Sequence, residues 1–123
     1  MDQNYETRRV FVVDDDRESA DILVSIFFKY GVEAFAIYNG ESALEATRLL
    51  RPDVIFLDLL MPIMSGFTVA EGIRSMTTIR QPCLVALSCR DDPETRGRVV
   101  RAGFDLHVVK PACIDLLLAI VEV

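Results

Sequence analysis

A chain of 123 residues lies close to the prior of about 150 per domain, so one domain is expected over 1–123, with no room for a second catalytic or DNA-binding unit. Hydrophobic residues at 51%, charged residues at 26%, and only 6 Gly and 5 Pro exclude disorder and fibrous repeats. With 13 Lys plus Arg against 19 Asp plus Glu, the net charge of -6 argues against a direct nucleic-acid partner.

Met1 to Arg9 is polar and lacks the apolar core of a signal peptide, so residues 1–8 read as a polar tail and the start as cytoplasmic. Val10 to Val13 is the first apolar, β-branched run, and it exits into Asp14, Asp15 and Asp16. Ile22, Leu23, Ile26, Phe27 and Tyr30 then share one face at helical spacing, with Asp16 as N-cap and Gly31 as C-terminal stop. Val32 to Ile37 reads as the second strand. Ala43, Leu44, Thr47 and Leu50 mark a second helix that ends before Pro52.

Val54 to Leu57 is the third strand and runs out at Asp58; Phe67, Ala70, Ile73 and Met76 place a third helix less cleanly. Cys83 to Leu87, the fourth strand, is followed by Ser88. Asp92 and Pro93 then open a fourth helix to Ala102, expected to be the most mobile because the interior Gly97 costs about 0.5–1 kcal/mol relative to Ala. Leu106 to Val109 precedes Lys110, and Ile114, Leu117, Leu118 and Val121 form the last helical face. Leu116 to Val121, the longest purely apolar run, is far short of the roughly 20 residues that cross a bilayer, so no membrane segment is expected. The 3 cysteines have no metal-ligand spacing and one histidine cannot complete a zinc set, which leaves free thiols in a reducing compartment.

Mostly continuous apolar strands alternating five times with helices specify an α/β fold, a doubly wound parallel sheet covered on both faces through right-handed crossovers. In such a sheet the strand C-termini share one edge where ligands bind. Asp14, Asp15, Asp58, Ser88 and Lys110 therefore converge. Crowded carboxylates either hold a proton or recruit an oxygen-loving divalent cation. A hydroxyl and a mobile ammonium facing them suit a phosphoryl group better than a neutral substrate.

The runs VFVVDDD (10–16), NGESALE (39–45), PDVIFLDLLMPIMSGF (52–67), LS (87–88) and AGFDLHVVKP (102–111) resemble the receiver domain of two-component response regulators over essentially the whole chain. GFDLHVVKP is more similar to receivers fused to hybrid sensor kinases than to chemotaxis receivers. The resemblance implies a flavodoxin-like strand order of 2-1-3-4-5 and makes Asp58 the phosphoacceptor. It implies that Asp15 and Asp58 bind Mg²⁺ or Mn²⁺ through their side chains, that Asp14 acts largely through water, and that the Leu60 backbone carbonyl adds a ligand. Ser88 takes the position of the switch hydroxyl, Lys110 that of the lysine that meets the phosphoryl group, and Lys110-Pro111 the position of a cis peptide.

The sequence departs from the family at His107, where a switch Tyr or Phe is usual, at Cys89 and at Ala112. Leu60 and Arg90 modulate the site: an apolar Leu60 cannot hold a hydrolytic water and Arg90 can reach across the phosphoryl group, so slow self-dephosphorylation is expected. Asp16 reads as a cap rather than a third ligand, His107 as a partly buried sheet residue, Cys89 as a packed thiol, and Arg96, Arg98 and Arg101 as a solvated face.

Two other phosphate-handling classes fit less well. A haloacid-dehalogenase-like aspartyl-phosphate phosphatase needs an acid where Leu60 stands, and a flavodoxin-like cofactor carrier needs a phosphate-cradling loop where Asp14 to Asp16 would repel the ligand. A phosphorylation-independent pseudo-receiver scaffold is the alternative, disfavoured by the complete set of five site residues. The expected function is thus phosphotransfer from a histidine kinase or histidine phosphotransfer protein to Asp58. The chain would assist its own phosphorylation and hydrolysis without being a turnover enzyme. The new charge, about -1.5 to -2 by analogy with side-chain phosphates, would switch the face of the fourth helix, fifth strand and fifth helix. The downstream effector and homodimer formation stay open.

Overall fold

The computed structural model describes residues 8–122. The polar tail assigned to residues 1–8 therefore lies, apart from Arg8, outside the described residues. In chain order the elements are β1 (Arg9–Val13), α1 (Arg17–Lys29), β2 (Glu33–Ile37), α2 (Gly40–Leu50), β3 (Val54–Asp58), α3 (Gly66–Arg74), β4 (Cys83–Ser88), α4 (Pro93–Ala102), β5 (Leu106–Val109) and α5 (Ile114–Glu122). The strands form one sheet in the order β2-β1-β3-β4-β5, and every pairing is parallel.

Successive side chains of a strand point to opposite faces, so runs without polar alternation need cover on both sides. Phe11, Val13, Ile55, Leu57, Leu84 and Ala86 pack on one face with residues of α2, α3 and α4. Val10, Val12, Val54, Phe56, Val85 and Leu87 pack on the other with α1 and α5, where Phe27 of α1 stacks on Phe56 at 5.6 Å between centroids.

The expected face of α1 is rotated in the structure. Ala20 and Phe27 are buried, with Leu23 and Val24 beside them, whereas Ile22 is 54% exposed. At 3.6 residues per turn, Ile22 lies about 140° around the helix from Phe27, so it cannot share its core contact. Tyr30, 44% exposed, is already past the last helical residue and serves as C-cap. Gly31 follows with φ 81°, the left-handed turn that hands the chain to β2. Asp16 does occupy the N-cap, but its carboxylate takes the Ser19 hydroxyl at 2.8 Å and makes no bond to a helix amide.

Elsewhere the local chemistry matches the elements. The α4 boundaries fall as expected, with the Asp92 carboxylate accepting from the Thr95 amide and Pro93 in the first turn, where no amide hydrogen is needed. Asn39 and Ser65 cap α2 and α3 in the same way.

Candidate functional site

Four strands deliver the polar residues to one edge. Asp14 follows β1 and is buried; its amide bonds the Ile37 carbonyl and its Oδ1 accepts from the Asp16 amide at 3.0 Å, so the turn is folded around the carboxylate. Asp15, next in the chain, is exposed. Asp58 is the last residue of β3, directly opposite Leu87 of β4. The carboxylates of Asp14, Asp15 and Asp58 offer ligand oxygens that all lie within 4.8 Å of one another, and Asp16 is not part of the group.

Lys110 supplies the counter-charge. Its Nζ lies 3.4 Å from Asp14 Oδ2 and 3.6 Å from Asp58 Oδ1, and its backbone amide donates to the Ser88 carbonyl at 2.8 Å. The Lys110-Pro111 bond is cis. Burial draws the ammonium down while Asp58 and Asp14 draw it up, with a net upward shift. Asp58 is pushed up to about 6, chiefly by burial and then by the Asp14 and Asp15 charges, against the opposing Lys110 charge and a hydrogen bond from the Leu60 backbone. One lysine shared by two carboxylates leaves the centre short of positive charge.

Such a centre fits a divalent cation. Ligands on an octahedral Mg²⁺ at about 2.1 Å are at most about 4.2 Å apart, so oxygens within 4.8 Å need only a small inward adjustment to meet one ion.

Ser88 ends β4 with its side chain buried, and its hydroxyl accepts from the Arg90 amide at 2.9 Å. A crevice of about 210 Å³ opens beside it, bordered by Leu60, Phe67, Arg90, Thr95 and Arg98. Leu60 is 65% exposed at its mouth. Arg90 borders the crevice, and its Nε bonds Asp92 at 3.2 Å, an acid two residues away that the capped turn places within reach.

Cys89 is exposed rather than packed, because β4 ends at Ser88 and the next side chain turns out of the sheet; it borders a cavity of about 570 Å³ with Asp14, Lys110 and Pro111. Cys83 and Cys113 are also free thiols. His107 is partly buried in β5, and its Nε2 is buried without a hydrogen-bond partner. Arg96, Arg98 and Arg101 are exposed, although Arg98 lies over the Phe67 ring at 4.0 Å and Arg96 pairs with Asp91.

One residue of the site escaped the sequence reading. A Cβ on Gly66 would lie 2.3 Å from the Asp58 carbonyl oxygen, so the start of α3 passes the end of β3 at a distance only glycine permits. A glycine directly after a capping serine was the available signal.

Comparison with known proteins agrees with this geometry. Residues 10–122 match the family described as the response regulator receiver domain. The DNA-binding response regulator MtrA of Mycolicibacterium smegmatis is 34% identical over 85% of this chain and 44% of its own length. Among solved structures, Vibrio cholerae CheY4 superposes with a TM-score of 0.86 at 25% identity, covering 94% of this chain and 96% of that one. The receiver domain of a Syntrophus aciditrophicus signal transduction histidine kinase gives 0.85 at 27% identity, covering 94% and 88%. The near-equal scores show that the backbone does not separate chemotaxis receivers from kinase-associated ones.

The chain spans about half the length of the curated relatives it matches, between 44 and 52%. MtrA is by its description DNA-binding, so the charge argument against nucleic acid does not carry over to the whole protein. No helix among the described residues is long and apolar enough to cross a membrane. Receiver domains are phosphoacceptors rather than turnover enzymes, work with histidine kinases, and bind Mg²⁺ in an acidic pocket. Motif order, strand order and the acid-lysine-hydroxyl edge converge on one assignment: the chain belongs to the response regulator receiver domain family.

Proposed function

We propose that residues 1–123 act as one receiver unit in which Asp58 accepts a phosphoryl group from a phosphohistidine. The observation that carries this reading is the position of the Asp58 carboxylate, at the end of β3 with Lys110 Nζ 3.6 Å away and two further carboxylates beside it. An Asp58 oxygen forms the new bond to phosphorus as the bond from phosphorus to the donor imidazole breaks, and the imidazole leaves with the electron pair. Asp14, Asp15, Asp58 and the Leu60 backbone carbonyl would hold Mg²⁺, which supplies charge neutralisation for the phosphoryl oxygens.

Lys110 exchanges its hold on the carboxylates for the incoming phosphoryl oxygens, and the Ser88 hydroxyl, now engaged by the Arg90 amide, turns to them as a donor. Lys110 directly follows β5, Ser88 ends β4, and the two are tied by the bond from the Lys110 amide to the Ser88 carbonyl. A change at either is felt by α4, β5 and α5, with His107 on β5 under α4 as a modulating residue. Incubation with acetyl phosphate and Mg²⁺ followed by mass spectrometry tests the reading. Modification at Asp58, lost in Asp58→Asn, is expected; full labelling of that variant would overturn it.

A further inference from the structure

The loop from β3 to α3 contains a side chain that neither the fold nor the phosphoryl chemistry explains. Ile63 has φ 70° and is fully exposed. The Met64 amide bonds the Pro62 carbonyl at 2.7 Å, closing a γ-turn with Ile63 at its centre, and the positive-φ form of that turn is rare and strained. The other positive-φ positions among the described residues are Gly31, Gly103 and the unbranched Arg51. A β-branched side chain is the worst fit for this region of backbone space, and a bare isoleucine gains nothing from water.

The turn presents Ile63 outward while its neighbours anchor it. Leu59 and Met61 are buried, and Met61, Ile63 and Met64 border a cavity of about 330 Å³ that runs to Asp15 and Glu41. The apolar tip is therefore continuous with the acidic centre. Exposed Leu60 and Pro62 extend the same rim. Asp58 has a side chain only 13% exposed at this edge, so any macromolecule that delivers a group to it must cover the rim.

We propose that Ile63 is the apolar anchor on which a phosphohistidine-bearing donor protein seats. The donor presents an apolar socket flanked by basic side chains, complementary to Ile63 beside Asp15 and Glu41. Backbone strain at a functional contact, held by a buried loop base, accounts for a residue that costs stability in the free chain. The inference rests on Asp58 being the phosphoacceptor.

Two phosphodonors separate the two readings. Acetyl phosphate needs no docking surface; a purified histidine phosphotransfer protein, phosphorylated on its histidine and chosen for measurable transfer to the wild type, needs one. Ile63→Asn and Ile63→Gly keep access to the left-handed region, so both are expected to match or exceed the wild-type thermal midpoint and to be labelled normally by acetyl phosphate. Transfer from the protein donor is expected to slow about tenfold or more in both, the effect of losing one well-covered aliphatic contact, and to be largely retained in Ile63→Leu. Unchanged transfer would overturn the anchor, as would an Ile63 effect confined to self-association measured by sedimentation, which would make the occupant a second copy. Failure of acetyl phosphate to label the wild type at Asp58 would instead remove the phosphoacceptor reading.

Discussion

β3 is bounded by two aspartates with nearly equal exposure and opposite surroundings. Asp53, just before the strand, has a side chain 15% exposed; Asp58, its last residue, is at 13%. Asp53 accepts from the Arg9 amide at 2.8 Å and pairs with Arg80 and, at 3.9 Å, with Arg8. Asp58 has one lysine, which it shares with Asp14, and carboxylates for its other neighbours. Equal burial thus does not mean equal electrostatics. One edge of the sheet satisfies its acid and is built to stay folded, whereas the other leaves its acids short of cations and is built to take up a cation and a phosphoryl group.

The strongest way to break this comparison is to exchange charge for shape at each end. Asp58→Asn is expected to lower labelling by acetyl phosphate and Mg²⁺ by at least about 100-fold, since the nucleophile itself is gone. Asp53→Asn is expected to be labelled like the wild type. Mass spectrometry of both after a fixed incubation decides it, and comparable losses in the two would show that fold, not chemistry, was lost.

Cation uptake separates the two ends next. Mg²⁺ at about 100 times its Kd is expected to stabilise the wild type by about 2.7 kcal/mol through mass action, measured as a rise in thermal midpoint. Asp53→Ala, destabilised from the start, should show the same increment. Asp15→Asn removes one of three crowded ligands and should bind Mg²⁺ more weakly in a direct titration. Equal affinity in Asp15→Asn and the wild type would remove the metal centre from the account.

In metal-free buffer the two acids are expected to affect stability with opposite sign. The Asp58 carboxyl titrates at about 6 in the folded chain against 3.8 for the free side chain. Between those values the folded state holds more protons than the unfolded state, so the site's contribution is fully present below about pH 4 and is lost as pH rises through about 6. Asp58→Asn, which has no such loss, is expected to exceed the wild type by about 1–2 kcal/mol at pH 7, after allowance for solvent screening, and to converge with it near pH 4. Asp53→Ala strands the Arg9 amide and is expected to cost about 1–3 kcal/mol at pH 7. Chemical denaturation at both pH values measures all of these, and a stability gain in Asp53→Ala would erase the contrast.

The sequence was legible to different depths at the two ends. Asp14, Asp15, Asp58, Ser88 and Lys110 sit where apolar runs stop, and a parallel sheet gathers such stops on one edge, so their convergence could be read from the sequence, while their separate roles are what the resemblance to receivers implies. The partners of Asp53 could not: Arg80 is 27 residues away and Arg9 is 44, and no local pattern encodes pairings of that range. The face of α1 misled because Ile22 and Tyr30 have large hydrophobic side chains yet are exposed, so hydrophobicity alone gave the wrong phase. Cys89 was misjudged for a related reason, since β4 ends at Ser88 and the next side chain leaves the packed sheet.

The finest contrast concerns water at the acidic edge. Hydrolysis of an aspartyl phosphate needs a water aligned opposite the leaving carboxylate oxygen, and positioning contributes strongly to such a step. Leu60 and Arg90 are both expected to oppose that alignment; both border the crevice beside Ser88, where Arg90 shares its charge with Asp92 and Leu60 stands at the mouth. Its side chain offers no atom that can hold water. Leu60→Asn or Leu60→Glu is therefore expected to release phosphate about three- to tenfold faster, a barrier change of up to about 1.4 kcal/mol. Arg90→Ala should change the rate less than either. Leu49, 73% exposed near the end of α2, is the control: replacing it with Asn alters surface polarity to the same degree far from the acids and should leave the decay unchanged. Decay of isolated phosphoprotein, followed by mass spectrometry, gives the rates of the wild type and of the four variants. If the Leu60 variants decay like the wild type, the apolar side chain does not order the water, and the lifetime must be set by groups already bonded to the phosphoryl oxygens.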